Sequence, residues 1–144
     1  MNAISDVLEG KGHEVLRIEA SATVFDAIRR MVDSNVGALL VTEGGRVSGI
    51  VTERDYLRRV TLEGRTEKET LVREIMSSPL VYVTPDTSVE ECMAIMTERR
   101  IRHVPVFTER RDLVGIVSIG DLVKFRSKQQ GFQIKLLTDY IEST

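Results

Sequence analysis

The stretch "GIVTERDYLRRV", residues 49 to 60, returns in shortened form as "GIVSIGDLVKF", residues 115 to 125. Each begins Gly-Ile-Val, continues with a hydroxyl residue and an aspartate three places later, and ends on an apolar run. Working outward, the likeness extends upstream. "VLRIEASATVFDAIRRMVDSNVGALLVTEGGRVSGIVTERDYLRRV", residues 15 to 60, aligns with "LVYVTPDTSVEECMAIMTERRIRHVPVFTERRDLVGIVSIGDLVKF", residues 80 to 125. Val24, Ile28 and Met31 match Val89, Met93 and Met96, and "VGALLV" matches "IRHVPV". Two copies are too few for a solenoid, which needs about three or more repeats. They suit a pseudo-twofold pair in which each half covers the other's apolar face.

Each copy reads as strand, helix, strand, strand, helix. Val15 to Ile18 form a short opening strand. Thr23 caps a helix on which Val24, Ala27, Ile28 and Met31 recur at helical spacing. "GALLV" is a continuous apolar run bounded by glycine, as in a buried strand. Gly44-Gly45 marks a hairpin turn into "VSGIV". Thr52 starts the next helix, with Tyr56, Leu57 and Val60 on one face. In the second copy Pro85-Asp86 opens the turn, Ser88 is the cap, and the hairpin turn is one residue longer. The fold class is therefore α+β, two pseudo-twofold-related β-α-β-β-α repeats. The organisation is an N-terminal segment 1–14, repeat one at 15–61, a charged linker 62–79 with an apolar stripe (Leu71, Val72, Ile75, Met76), repeat two at 80–126, and a C-terminal helix 127–144. On that last helix Phe132, Leu136, Leu137, Tyr140 and Ile141 fall at helical spacing, giving an amphipathic face for the body or a partner chain.

Composition narrows the function classes. The chain has 144 residues, 42% of them hydrophobic, enough for a packed core. Its 20 basic and 22 acidic residues give a net charge of −2, against general nucleic-acid binding. The single cysteine, Cys92, forbids an intrachain disulfide and fits a reducing compartment. No basic-then-apolar leader and no apolar run of roughly 20 residues is present, so the expected location is the cytoplasm, with no membrane contact.

The repeated phrase has two physical readings. Thr52-Glu53-Arg54-Asp55 is a capping box: the hydroxyl accepts from the backbone NH three residues on, and the acid reaches back. Capping alone accounts for such a motif before any helix. A helix N-terminus is also an anion site, and an aspartate there can accept from a diol, as acids do on ribose. The motif occurs twice, as Thr52/Asp55 and Ser118/Asp121. "ERRIRHVPVF" adds Arg99, Arg100, Arg102 and His103, and guanidinium groups suit phosphate, although an arginine run is also a common solvated face.

This doubled pattern, "VTPDTSVEECMAIMTERRIRHVPVF" followed by "LVGIVSIGDLV" with a fainter first copy, resembles a tandem pair of cystathionine-β-synthase-type (CBS) domains, a Bateman module. The resemblance covers roughly residues 15 to 126 and is closest to small stand-alone proteins made of one CBS pair. It implies a regulatory module without catalysis that binds an adenosyl ligand, AMP foremost, with ATP, NAD(H) and S-adenosylmethionine as further members. It also implies a homodimer and an output through an unidentified partner protein. Ribose would meet the aspartate, and the hydroxyl residue ribose or phosphate. One cleft would use Thr52, Arg54 and Asp55 with Leu80, Val81, Ile101, Arg102 and His103. The other would use Ser118 and Asp121 with Val15, Leu16, Val36, Gly37 and Ala38. Gly37-Ala38 stands where the second copy has Arg102-His103, so the clefts should differ: one equipped for phosphate, the other small and neutral.

Other residues read more plainly. His13 and His103 are scattered and no His/Cys set has ligand spacing, so zinc is not expected. Cys92 follows Glu90 and Glu91 and reads as an inert thiol. The Met31, Met93 and Met96 stripe reads as core. Two other classes stay open: a ligand-independent dimerisation or partner-binding scaffold and, with no nucleophile–base pair in view, less readily an enzyme.

Overall fold

In the computed structural model, which describes residues 2–129, the described chain divides into two units, Val15–Val81 and residues 2–14 together with 82–129. The first repeat supplies the body of one and the second repeat that of the other.

In the Val15–Val81 unit, β1 (Arg17–Glu19), β2 (Ala38–Glu43) and β3 (Arg46–Thr52) form one sheet in that order, β1 parallel to β2 and β2 antiparallel to β3. The hairpin between β2 and β3 turns on Gly44 and Gly45, at φ +59° and +80°. Both values lie in the left-handed region that a two-residue type I′ turn requires. Helix α2 (Val24–Ser34) starts at Thr23, whose hydroxyl accepts from Asp26 N, and stops at Asn35 in the left-handed conformation. It buries Val24, Ala27 and Met31 against Leu39, Val41 and Val51 of the sheet's strands. After Thr52, α3 is a single turn, Glu53–Tyr56, continuing as a π-helix over Leu57–Thr61 that buries Val60.

In the other unit, β4 (His103–Phe107) and β5 (Leu113–Ser118) form an antiparallel pair. The expected opening strand of the second copy is reduced to one residue. Val83 makes a single parallel bridge to Val106, through Val83 N to Pro105 O and Phe107 N to Val83 O. Helix α5 (Val89–Arg99) is capped by Ser88 and buries Val89, Cys92 and Met96. Helix α6 (Ile119–Gln129) follows β5 directly. The expected C-terminal helix 127–144 coincides with the last turn of α6 up to Gln129, and its apolar positions from Phe132 on lie outside the described residues.

The segments preceding the repeats are exchanged. Helix α1 (Ile4–Lys11), in what reads as a tail before the first copy, packs in the second copy's unit, with Ile4, Val7 and Leu8 buried. Short α4 (Val72–Ile75), in the charged linker before the second copy, packs in the first copy's unit, with Val72 and Ile75 fully buried. The two dock alike. Ala3 bridges Ser88 and Leu71 bridges Thr23. Val89 N donates to Asn2 O, and Val24 N to Thr70 O. Ala3 N is met by the Asp6 carboxylate and Leu71 N by that of Glu74. The borrowed segments also explain the glycine of the repeated phrase. A Cβ on Gly49 would stand 2.8 Å from Ser77 O and 2.9 Å from Met76 Sδ, and one on Gly115 would stand 2.7 Å from Leu8 Cδ2.

That geometry separates two otherwise equivalent substitutions. Gly49→Ala presses on backbone and should lower stability by about 1–3 kcal/mol, the usual cost of overpacking. Gly115→Ala meets only the end of the Leu8 side chain, which can rotate, so its loss should fall at or below the bottom of that range. Chemical denaturation of the two variants beside wild type checks the order.

Candidate functional site

The last residue of each repeat's final strand becomes the cap of its last helix, which places a hydroxyl and an aspartate at the sheet's end. In the first copy Thr52, paired across the hairpin with Ala38, accepts from Asp55 N at 3.2 Å. Asp55 Oδ2 in turn accepts from Thr52 N at 2.9 Å and from its hydroxyl at 3.1 Å. In the second copy Ser118, paired with His103, accepts from Asp121 N at 3.1 Å, and Asp121 Oδ2 accepts from Ser118 N at 2.8 Å. The capping box expected from sequence is thus present twice.

The helix starts are finished from the facing strand. Glu53 N donates to Gly37 O at 3.1 Å, and Ile119 N to Arg102 O at 2.8 Å. Positions 37 and 102 therefore do the same structural work with a carbonyl, and the fold does not dictate which side chain stands there. Arg102 is exposed and His103 half-buried; Gly37 is half-buried and Ala38 buried. The remaining residues expected at the clefts are half-buried, except for exposed Arg54: Val15, Leu16, Val36, Leu80 and Val81 in one unit, Ile101 in the other. Leu16 O accepts from Leu40 N beside β1, and Val36 N and Ile101 N close the ends of α2 and α5 on Met31 O and Met96 O. Thr52, Arg54 and Asp55 thus share a unit with Gly37 and Ala38, and Ser118 and Asp121 share one with Arg102 and His103. The residues that the resemblance groups into one cleft are divided between the units.

The two aspartates differ electrostatically. Asp55 is half-buried, and burial pushes its carboxyl above the usual range despite the hydrogen bonds from Thr52, the charge of Arg59 and a 3.5 Å contact from the Ser77 hydroxyl to Oδ1. Asp121 is pushed up by burial too, but the hydrogen bond and charge of Lys11, with the bonds from Ser118, outweigh that and hold it below the usual range. Lys11 Nζ donates to Asp121 Oδ2 and to Ile116 O, each at 2.6 Å. The sequence reading left the Ser118–Asp121 cleft small and neutral. It missed this ammonium because Lys11 lies 110 positions away in a glycine-flanked stretch that carries no signal of its own. Lys11 and Asp121 also line a cavity of about 510 Å3 between α1 and α6, together with Lys124 and Lys128.

Cys92 is fully buried and its thiol is pushed up to about 11, by burial and then by Glu91, which makes it an inert thiol. Met31 and Met96 are core and Met93 is half-buried. His13 is exposed, with Nδ1 2.7 Å from Val114 O. Among the described residues no group of three or more His, Cys, Asp or Glu could hold a metal ion, and no helix is long and apolar enough to cross a membrane.

The family model described as the CBS domain matches this chain twice, at residues 4–61 and 72–128. The chain belongs to the CBS-domain family. Both matches begin at the exchanged helices, α1 and α4. Over 148 residues the chain is 40% identical to the mitochondrial CBS domain-containing protein CBSX3 of Arabidopsis thaliana, covering 96% of this chain and 71% of that one. A putative signal-transduction protein with CBS domains from Burkholderia ambifaria superposes with a TM-score of 0.87 at 43% identity, covering 92% of this chain and 99% of the other. A hexameric CBS-CP12 protein from bloom-forming cyanobacteria superposes at 0.74 with 32% identity, covering 84% and 70%. CBS pairs are typically regulatory modules, commonly bind adenosyl ligands and form oligomers, and stand-alone members are generally not enzymes.

The unlike carboxylates predict unlike pH dependence. Asp121 has a folded pKa below its unfolded value, so it contributes stability above the ordinary carboxylate range that is lost as pH falls through the folded pKa. Asp55 has the opposite sign: its protonated form is favoured in the fold, and that contribution is lost as pH rises through the folded pKa. At neutral pH Asp121→Asn should lower the melting temperature, with the difference from wild type shrinking under acid conditions. Asp55→Asn should leave the melting temperature unchanged or raised at neutral pH, and any gain should vanish under acid conditions. Melting curves from pH 3 to 8 on the three proteins check both signs.

Proposed function

We propose that this protein is a regulatory adenine-nucleotide sensor, AMP foremost, that catalyses no reaction and acts through a partner protein. In this reading Asp55 and Asp121 accept from ribose hydroxyls, the Thr52 and Ser118 hydroxyls bond to ribose or donate to phosphate, and Arg102 donates to phosphate. The remaining cleft residues are those that the family resemblance assigns. The observation that supports it most is Asp55. A cap needs only an oxygen facing backbone NH groups, which asparagine or serine supplies. Yet an ionisable carboxyl is kept where burial disfavours its charge, and no ion pair with it occurs among the described residues. Carboxylates held in such surroundings mark candidate functional sites. With a single cysteine the fold rests on no intrachain disulfide, as in proteins of reducing compartments, and we read the location as cytoplasmic.

One observation favours self-association alongside ligand binding. On the Val15–Val81 unit the large apolar side chains of Val32, Leu57 and Leu62 are 72%, 53% and 80% exposed and so available to a second copy. We take the assembly to be a homodimer. A pure scaffold would share that surface and show no ligand response.

Calorimetric titration with AMP tests the sensor reading. Asp55→Ala should weaken binding about tenfold to a hundredfold, as expected for a lost charge-assisted hydrogen bond of about 1.5–3 kcal/mol. If Asp55 only caps α3, stability should fall by about 1 kcal/mol and affinity should hold. Light scattering at tens of micromolar should report a dimer with and without nucleotide; a monomer in both conditions contradicts the assembly.

A further inference from the structure

Lys11 and Ser77 reach corresponding places in the two units by different means. In one, Ser77 N donates to Ile50 O, and the Ser77 hydroxyl is the neutral neighbour of Asp55. In the other, the Lys11 ammonium donates to Ile116 O, the residue matching Ile50, and sits on Asp121 as a full positive charge. The pair is partly exposed, with side chains 31% and 25% accessible. Ion pairs of that kind contribute little net stability, so an incoming ligand can displace one. Asp121 and Lys11 share their cavity with Asp6, whose carboxylate accepts from Ala3 N, and with Lys124 and Lys128, which have no ion-pair partner among the described residues.

Resting on the reading of Asp121 as a ribose acceptor, we propose that Lys11 makes the Ser118–Asp121 site selective for phosphorylated over unphosphorylated nucleosides. A ribose diol that engages Asp121 competes with the ammonium for Oδ2. A neutral nucleoside takes the carboxylate and leaves Lys11 with only Ile116 O, so binding opposes a lost ion pair. A nucleotide brings its own anion. Its phosphate accepts from the displaced ammonium, with Lys124 and Lys128 in the same cavity, and the ion pair is exchanged rather than lost. Lys11 therefore penalises adenosine and favours AMP, and its removal should move the two affinities in opposite directions. The Asp55 site, with a hydroxyl in that place, carries no such filter from its leading segment.

The test is titration of AMP and of adenosine in an Asp55→Ala background, which isolates the Ser118–Asp121 site, with Asp55→Ala/Asp121→Ala as the blank. Adding Lys11→Met should weaken AMP about tenfold and tighten adenosine severalfold, so that the AMP preference collapses. Lys11→Gln should do the same, and Lys11→Arg should retain the preference. Circular dichroism of each variant establishes that α1 is kept. If the blank binds both ligands as the background does, or the background binds neither, the ribose reading of Asp121 fails and the inference with it. If the blank loses binding while Lys11→Met and Lys11→Gln shift both ligands equally or not at all, the ribose reading stands and the role of Lys11 is overturned.

Discussion

Neither repeat is closed by its own chain. Each has a helix and a hairpin whose last buried surface, and whose helix-starting backbone groups, are covered by a segment that belongs in sequence to the other copy. Val24 N and Val89 N, the first amides of α2 and α5, bond to Thr70 O and Asn2 O rather than to anything in their own repeat. A helix start leaves its first amides unsatisfied, and here the exchanged strand-like residues satisfy them. Ile4 and Leu8 in one case, Val72 and Ile75 in the other, then complete the core. Because each copy depends on the other copy's leader, the smallest complete structure is the pair.

That dependence turns a near-symmetric sequence into an asymmetric molecule. The repeats themselves hold Asp55 and Asp121 by matching backbone bonds to the same kind of cap, Asp55 taking one more from the Thr52 hydroxyl. What differs is what the exchanged leader brings beside each carboxylate. Downstream of α4 the chain leaves the helix at Met76, and Ser77 bridges Ile50 through its backbone. In the other leader α1 runs on to Lys11, which reaches Ile116 O with a side chain. One aspartate gains a hydroxyl and stays above the usual carboxylate range; the other gains an ammonium and falls below it. Two matched carboxylates are thereby tuned apart without altering the repeated phrase.

Positions 37 and 102 show a second way in which function is separated from fold. Their carbonyls finish the starts of α3 and α6, and any residue carries a carbonyl. The side chain is left to serve another purpose, which is how glycine in one copy and arginine in the other coexist at one structural position.

The sequence by itself determined the repeat, its α+β class, the hairpin at Gly44-Gly45, both capping boxes and the pairing of each hydroxyl with an aspartate three residues on. All of these rest on interactions between neighbours in sequence or on a period within one element. The second copy's opening strand, reduced to Val83, shows the limit of that reasoning, since a strand exists only as far as its partner hydrogen-bonds it. The likeness of the two leaders was faintly legible, because "AISDVL" and "LVREIM" share an acid three residues after the chain position that bridges the cap. Only the tertiary structure decided that residues reading as a tail and a linker are core, and that Lys11 sits on Asp121. Long-range ion pairing depends on where two distant backbones end up, and no local preference of lysine or aspartate encodes that.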